Sequence, residues 1–530
     1  MKSVAAEARS GAEEPSKLLQ RDDIVMHQGR LTLVNSELTP QQAMIADLLA
    51  IKDVLDAGGF EYLLVRGNDE RPVLAVNWRQ RVAIMTALSA SLANEPFYAK
   101  PADGKDKEPF LMSAGWPSER GRCRIFRLFR PRVELRGGLK YGASSGVQLE
   151  MWSMRKNSII APVDNSLTRK RVMRDEAPHT TVLKYGATWP TLENMFAEFA
   201  TDITFDIDIV FSWVDGSSAE FQRARARRMD SYVVGEGDDA DSRFRQLDEL
   251  KYALRSIYLF APWIRHIFIA TDSPRPQWLD EHPKVTLVRG SDHFSNQNAL
   301  PTHNSHAVES QLQHIVGLSE HFLYSNDDMF FGRPVRPEMF FSPGGLTKFL
   351  QAPLRIGVGD SDPQRSGYEN AARVNRALLL HRFGKVTTRH LEHAATPLRK
   401  SVLVEMETEF AEDFARTQAS KFRSATDISV TNSLYHYYAL MTGRAVVQDR
   451  ARLKYVDTTS TSGLRSLTGL LKSRSLDFFC LNDGSFPEVP EEERAATVRL
   501  FLDRYFPIPA PWEVPEAASE LGLSPHTARH

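Results

Sequence analysis

Cysteine is nearly missing from this chain. Cys123 and Cys480 are the only two in 530 residues, too far apart for the ligand spacing of a zinc site or for a disulfide framework. That scarcity fits a reducing compartment. Long apolar runs are missing as well: no stretch reaches the roughly 20 apolar residues of a membrane-spanning helix. The N-terminus, with Glu7, Glu13 and Glu14 among small residues, lacks the apolar centre of a signal peptide. The expected location is therefore the cytoplasm, with peripheral attachment at the inner face of a membrane left open. Neither sign of charge is in excess. Sixty-six Lys and Arg stand against 67 Asp and Glu, a formal charge of −1, which removes any global electrostatic case for nucleic-acid binding. There is no internal repeat and no Gly-rich phosphate loop of either common kind.

What is present is an ordinary globular composition, 42% hydrophobic and 25% charged, which excludes disorder throughout. Residues 1–22 are polar and read as a disordered tail. Residues 23–195 read as a small N-terminal α+β module. In it Thr39-Pro40 opens a helix, with Thr as cap and Pro at the first helical position. The module's basic residues Arg127, Arg130, Arg132 and Arg136 are expected to form a solvated face. Residues 200–345 read as an α/β core interrupted by a Gly- and Asp-rich loop, 235–241. Residues 346–513 read as a helical part, with helices over 398–414 and 428–441, and 514–530 as a loose end.

The core carries the chemistry. His321-Phe-Leu-Tyr-Ser-Asn-Asp-Asp-Met-Phe-Phe331 places two adjacent carboxylates at the end of an apolar strand. Such a pair is costly beside apolar neighbours unless a cation or hydrogen bonds compensate it. Hard oxygen ligands suit Mg²⁺ or Mn²⁺, ions that usually arrive holding a substrate diphosphate. The alternative is a plain turn, since Asn and Asp favour turns too. Three further apolar strands precede this one. Ile207–Val214 stops at Asp215-Gly216, Ile264–Thr271 at Asp272-Ser273-Pro274, and Val285–Val288 at Arg289-Gly290. Helix patterns over 247–260 and 305–316 alternate with them. That alternation predicts a mostly parallel, Rossmann-like sheet with covered faces. Ligands of such sheets bind beyond the carboxyl ends of the strands, so Asp215, Asp272, Asp327 and Asp328 are expected along one edge.

Four segments, in this order, resemble the Stealth family of sugar-1-phosphate transferases. They are Asp208-Ile-Val-Phe-Ser-Trp-Val-Asp-Gly216; Arg243 to Ser256 continuing through Ala261–Asp272; Leu300–Ser310 through Leu323–Gly332; and Phe478-Phe-Cys-Leu-Asn-Asp483. Length and the added N-terminal module look most like the actinobacterial exopolysaccharide phosphotransferases. The resemblance implies a GT-A-like core and a reaction in which a hexose-1-phosphate, such as N-acetylglucosamine-1-phosphate, passes from a UDP-sugar to a hydroxyl of a polysaccharide or glycan acceptor. A phosphodiester forms and UMP leaves. Charge builds on phosphoryl oxygens during such a transfer, and a divalent ion and guanidinium groups stabilise it.

Carried onto this chain, the resemblance assigns Asp327 and Asp328 to Mg²⁺ or Mn²⁺ and sets Asn326 beside them. Asp215 is expected to support the metal or contact the nucleotide. Arg243, Glu249 and Arg255 lie in the second motif; Arg255 is read either as a phosphate contact or as an ion pair anchoring its helix. His390 and His393, in Thr388-Arg-His-Leu-Glu-His393, are the expected bases for the acceptor proton, an imidazole task near neutral pH. His390 matches the family's functional histidine and Arg423 its arginine, whose fork suits phosphate oxygens. Asn304 and His306 in the third motif, and Asn482 and Asp483 in the fourth, are expected to bind substrate, and His306 and His303 are rivals to His390 and His393 as the base. A second reading is a GT-A-type glycosyltransferase that moves the sugar alone and releases UDP. A third is a silent sugar-nucleotide-binding regulator.

Overall fold

In a computed structural model the described residues are 17–103, 107–117, 122–216, 223, 247–484 and 487–515. Arg243 and the 235–241 loop lie outside them. The chain divides into two compact units that meet at Phe199 and Ala200.

Among its described residues the first unit holds a 4-stranded, an 8-stranded and a 2-stranded sheet, with helices packed on the largest. Helix α1 (Pro40–Ala57) starts where the sequence signals it: Thr39 Oγ1 accepts from the Gln42 amide and Gln42 Oε1 accepts from the Thr39 amide, a reciprocal cap that satisfies two orphan donors. Strands β1 (Tyr62–Arg66) and β2 (Pro72–Asn77) form a hairpin. Helix α2 (Arg81–Ser91) follows, then β3 (Tyr98–Pro101), β4 (Ile125–Phe129) and β5 (Val147–Met154), with β5 parallel to β2 and antiparallel to β4. Leu48, Ile51 and Leu55 of α1 and Ile84 and Leu88 of α2 pack on Phe126, Leu149 and Met151 of the sheet. Full burial of such a side chain contributes about 1.5–3 kcal/mol.

Two expectations fail in this unit. Leu18 is buried with Ile24, Leu31 and Leu33, so packed chain extends upstream of residue 23. Arg130 and Arg132 are not a solvated face: both guanidiniums turn inward onto the buried Asp47, at 2.7 Å each, because an apolar interior holds a charge only when it is paired.

The second unit carries the predicted α/β core. Strand β6 (Ile207–Ser212) is central. Helix α3 (Glu249–Phe260) precedes β7 (Ile267–Ala270) and β8 (Val285–Val288); the short helix α4 (Ser305–Glu309) precedes β9 (His321–Asn326). The order β8-β7-β6-β9 is wholly parallel, with Ile209 opposite Ile267, Ile267 opposite Val285 and Ser212 opposite Asn326. The chain steps to one side of β6 and then to the other. The switch point therefore falls between β6 and β9, which is where open α/β sheets bind ligands.

Beyond β9 the chain is more mixed than its sequence suggested. Strands β10 (Met329–Phe331), β11 (Thr347–Arg355), β12 (Arg389–Leu391), β13 (Thr396–Arg399), β14 (Ala445–Gln448), β15 (Leu453–Asp457) and β16 (Phe478–Asn482) alternate with helices. Strand β13 closes the main sheet, antiparallel to β9, while β10-β16-β15 and β12-β11-β14 form two small sheets. The reading of 346–513 as helical is thus corrected, because strands of three to nine residues leave little period-2 signal. The helix expected over 398–414 is two, Lys400–Glu409 and Ala411–Ala419, after Leu398 has joined β13. The one expected over 305–316 ends at Glu309. The segment after Trp512 is held as far as Val514, whose amide donates to the Trp278 carbonyl at 2.9 Å.

Candidate functional site

The site lies at the carboxyl ends of β6 and β9. Strand β9 turns tightly at Asp327-Asp328 into β10, which pairs with β16 so that Met329 faces Cys480. That pairing brings the fourth motif against the third. Asp328 Oδ2 accepts from Asn482 Nδ2 at 3.3 Å and from the Cys480 thiol at 3.4 Å. Its Oδ1 is buried and has no hydrogen-bond partner. Burial, with Asp483 adding, pushes the Asp328 carboxyl up to about 6 against those two donors. Asp327 is driven well above the usual carboxylate range, first by burial and then by Asp328 and Glu249. Glu249 opens α3, and its Oε2 accepts from the Leu247 amide at 2.6 Å.

Glu249 therefore acts electrostatically on Asp327 and Asp483 on Asp328, while Asp483 itself is held by Thr458 and lies near Arg494. The raised values say that the protein itself does not neutralise the pair at the turn. Among the described residues no three His, Cys, Asp or Glu side chains form a ready metal cage. One or two carboxylates plus substrate phosphates is how Mg²⁺ is usually held, and the unpartnered Asp328 Oδ1 fits that donor set.

Asp215 ends β6, its amide donating to Ser273 Oγ at 2.8 Å, which ties the β6 exit to the β7 exit. Asn326 ends β9 directly opposite Ser212. Asp272 takes a structural part: its Oδ1 accepts from the Gly290 amide at 2.9 Å, knotting the ends of β7 and β8.

Arg423 sits at the start of α4, with Nη2 donating to Ser305 Oγ at 2.9 Å. Its charge also acts on the buried Tyr324 of β9, partly offsetting the rise that burial and Glu309 impose on that phenol. Glu309 is a site neighbour that sequence reasoning missed. It is buried, and accepts from Thr431 Oγ1 at 2.7 Å and from Tyr324 Oη at 3.4 Å. The signal was available: a lone acid between Val308 and Ser310 on the helix that enters the Asn-Asp-Asp strand.

Asn304 and His306 sit deeper than expected, both almost fully buried. Asn304 caps α4, and its Nδ2 faces the carbonyls of Ser420 and Phe422 and Asp427 Oδ2, the last at 2.8 Å. His306 Nδ1 lies 3.8 Å from Asp427 Oδ2. These residues fix the 420–427 loop that carries Arg423. Arg255 is drawn away from the edge altogether. Its guanidinium grips both Glu513 oxygens at 2.7 Å and the Phe506 carbonyl at 2.8 Å, so it anchors its helix to the end of the described chain.

His390 is buried on β12, its ring stacked on Tyr368 with centroids 4.7 Å apart. Burial lowers its affinity for a proton, partly opposed by Glu369. His393, lowered by burial as well, contacts the Tyr455 ring at 5.1 Å. Tyr455 stands opposite Cys480 in the β15–β16 ladder, and Cys480 touches Asp328. A chain of rings thus runs from the two histidines toward the acidic turn.

The class defined by this sheet is an α/β fold with carboxylates at the strand ends of its switch point. The four models of the Stealth protein match in chain order: conserved region 1 at 205–233, region 2 at 243–349, region 3 at 392–440 and region 4 at 468–521. A protein of Mycobacterium tuberculosis called exopolysaccharide phosphotransferase CpsY is 60% identical over 490 residues, 92% of either chain. One of Nocardia farcinica, called exopolysaccharide phosphotransferase, is 55% identical over 93% of this chain and 92% of its own. The chain belongs to the Stealth family and is a phosphotransferase. A solved galactosyltransferase, LgtC, aligns over 59% of this chain and 99% of its own, at 10% identity and a TM-score of 0.29; no weight rests on so low a score.

Proposed function

We propose that this chain moves a hexose-1-phosphate from a UDP-sugar to a hydroxyl of a polysaccharide or glycan acceptor, making a phosphodiester and releasing UMP. One observation carries the reading: the uncompensated Asp327–Asp328 pair, with its unpartnered Oδ1, at the switch point of a parallel sheet. Asp327 and Asp328 would hold Mg²⁺ or Mn²⁺, which, when bound, withdraws charge from the diphosphate oxygens.

The rest is work for the chain's own residues. Asn482 orients Asp328 through its amide. Arg423, fixed by the loop that Asn304 and Asp427 knot, faces the phosphoryl oxygens with a planar donor fork. Glu309 supports Tyr324, on which the Arg423 charge also acts. The acceptor oxygen bonds to the β-phosphorus while the bond from that phosphorus to the bridging oxygen breaks. The acceptor proton passes to a neutral imidazole, and UMP departs with the bridging oxygen's electron pair. His390 is the proposed base, since its lowered pKa keeps the ring unprotonated at neutral pH. The Tyr455 contact favours His393 as the second choice.

A panel of UDP-sugars with Mg²⁺ or Mn²⁺ and a glycan acceptor tests the reading, with the released nucleotide identified by mass. UMP, with turnover abolished by excess chelator, is the expected result. Release of UDP would replace it with glycosyl transfer.

A further inference from the structure

In the second unit, residues 354–358 run beside 386–389, joined by the Ile356 amide donating to the Thr388 carbonyl at 3.1 Å and by Arg355 standing opposite Arg389. This double strip exposes three large aliphatic side chains: Leu354 at 61%, Val358 at 87% and Val386 at 58%. Arg355 and Lys385 are exposed in the same strip and Arg389 half-exposed. The acids of the neighbouring loop are Asp360 and Asp362, and Glu369 of the following helix pairs with Arg373 at 3.1 Å.

Val358 is held out by construction. Arg376 donates to the carbonyls of Gly357 at 2.9 Å and Gly359 at 3.0 Å, clamping both flanks of the tip. A side chain at Gly357 would collide with Arg373 Nη2 at 2.1 Å, and Gly359 holds φ +84°, where L residues are strained. A rigid tip that presents an aliphatic group to water stays exposed at a free-energy cost.

We infer that this strip docks the protein on an anionic bilayer surface, with Leu354, Val358 and Val386 entering the headgroup layer and Arg355, Lys385 and Arg389 facing lipid phosphates. Aliphatic side chains beside Lys and Arg are the combination that interfacial attachment uses, whereas a soluble anionic polymer would have no use for the aliphatic groups. The strip ends one residue before His390, whose ring is buried against Tyr368, so, on the proposed function, docking would bring the strand that carries the base to a membrane surface.

Co-sedimentation of the full chain tests this, using vesicles of phosphatidylcholine alone and with about one-third phosphatidylglycerol. Binding to the anionic vesicles only, weakened by salt, is expected. Val358→Asp should reduce it at least tenfold, and Arg355→Ala and Lys385→Ala about fivefold each. These side chains are exposed, so the fold is not at stake. Leu183→Asp, at an exposed aliphatic position of the first unit, should leave binding unchanged. Absence of sedimentation, or binding that Val358→Asp and Leu354→Ser leave intact, overturns the inference. Displacement by dextran sulfate with no effect of Val358→Asp would assign the strip to an anionic polymer instead.

Discussion

Asp47 in the first unit is fully buried and Asp328 in the second is half-buried with one oxygen shielded from water, and their surroundings are opposite. Asp47 receives the Arg130 amide and side chain and both terminal nitrogens of Arg132. Each oxygen is occupied, and the two cations face two anions, since Arg130 also pairs with Glu95 at 2.9 Å. Asp328 receives a thiol and an amide on one oxygen, nothing on the other, and has acids for neighbours. A buried charge that the fold satisfies holds structure together, whereas one left uncompensated costs stability unless something bound supplies the missing charge. What separates the two chemically is their partners.

The sharpest way to break this comparison is Asp328→Asn. Turnover should fall by about 10³-fold or more, while melting temperature holds or rises because a repelled carboxylate is gone. Mg²⁺ or Mn²⁺ with UDP should raise the melting temperature of the parent chain and not of the variant, as read by differential scanning fluorimetry. A variant that melts lower and still turns over would erase the distinction. Asp47→Ala should do the reverse. It leaves the buried Arg132 without an anion, while Arg130 keeps Glu95 at 2.9 Å, a loss of about 3–5 kcal/mol visible in urea unfolding.

His390→Ala should lower turnover about 10²-fold and leave UDP-sugar binding by calorimetry intact. The sign of its pH dependence follows from burial, which lowers its pKa below the ordinary 6.5. At neutral pH the ring is already neutral, so the acid limb of the rate profile should lie below 6.5. The unfolded chain takes up this proton first, so the related stability is whole above 6.5 and lost as pH falls toward the lowered value. The smallest effect expected is from Arg255→Met. Glu513 loses its bidentate partner and keeps Lys251 at 3.7 Å, and the melting temperature drops by a few degrees with the Michaelis constant for UDP-sugar unmoved. A tenfold rise in that constant would return Arg255 to the substrate.

Legibility followed local signals. The reciprocal cap at Thr39 and Gln42, the apolar strands ending in Asp215, Asp272 and Asp327, and their alternation with helices were all readable, because each is a short-range pattern with its own physical cause. The strands at 347–355 and 445–448 were not, since a strand's stability comes from cross-strand partners distant in sequence. The same holds for single residues. Nothing near Arg255 announces Glu513, 258 positions away, and nothing near Arg132 announces Asp47.

The sequence by itself determined the family motifs, the order of the parallel core's elements and the two carboxylates at the end of one apolar strand. Tertiary structure alone decided that Cys480 and Asn482 meet Asp328, that Glu309 and Arg423 both act on Tyr324, and that Arg130, Arg132 and Arg255 are anchors. Periodicity and capping act within a few residues, whereas compensation of a buried charge depends on whichever group the packed chain brings within about 3 Å.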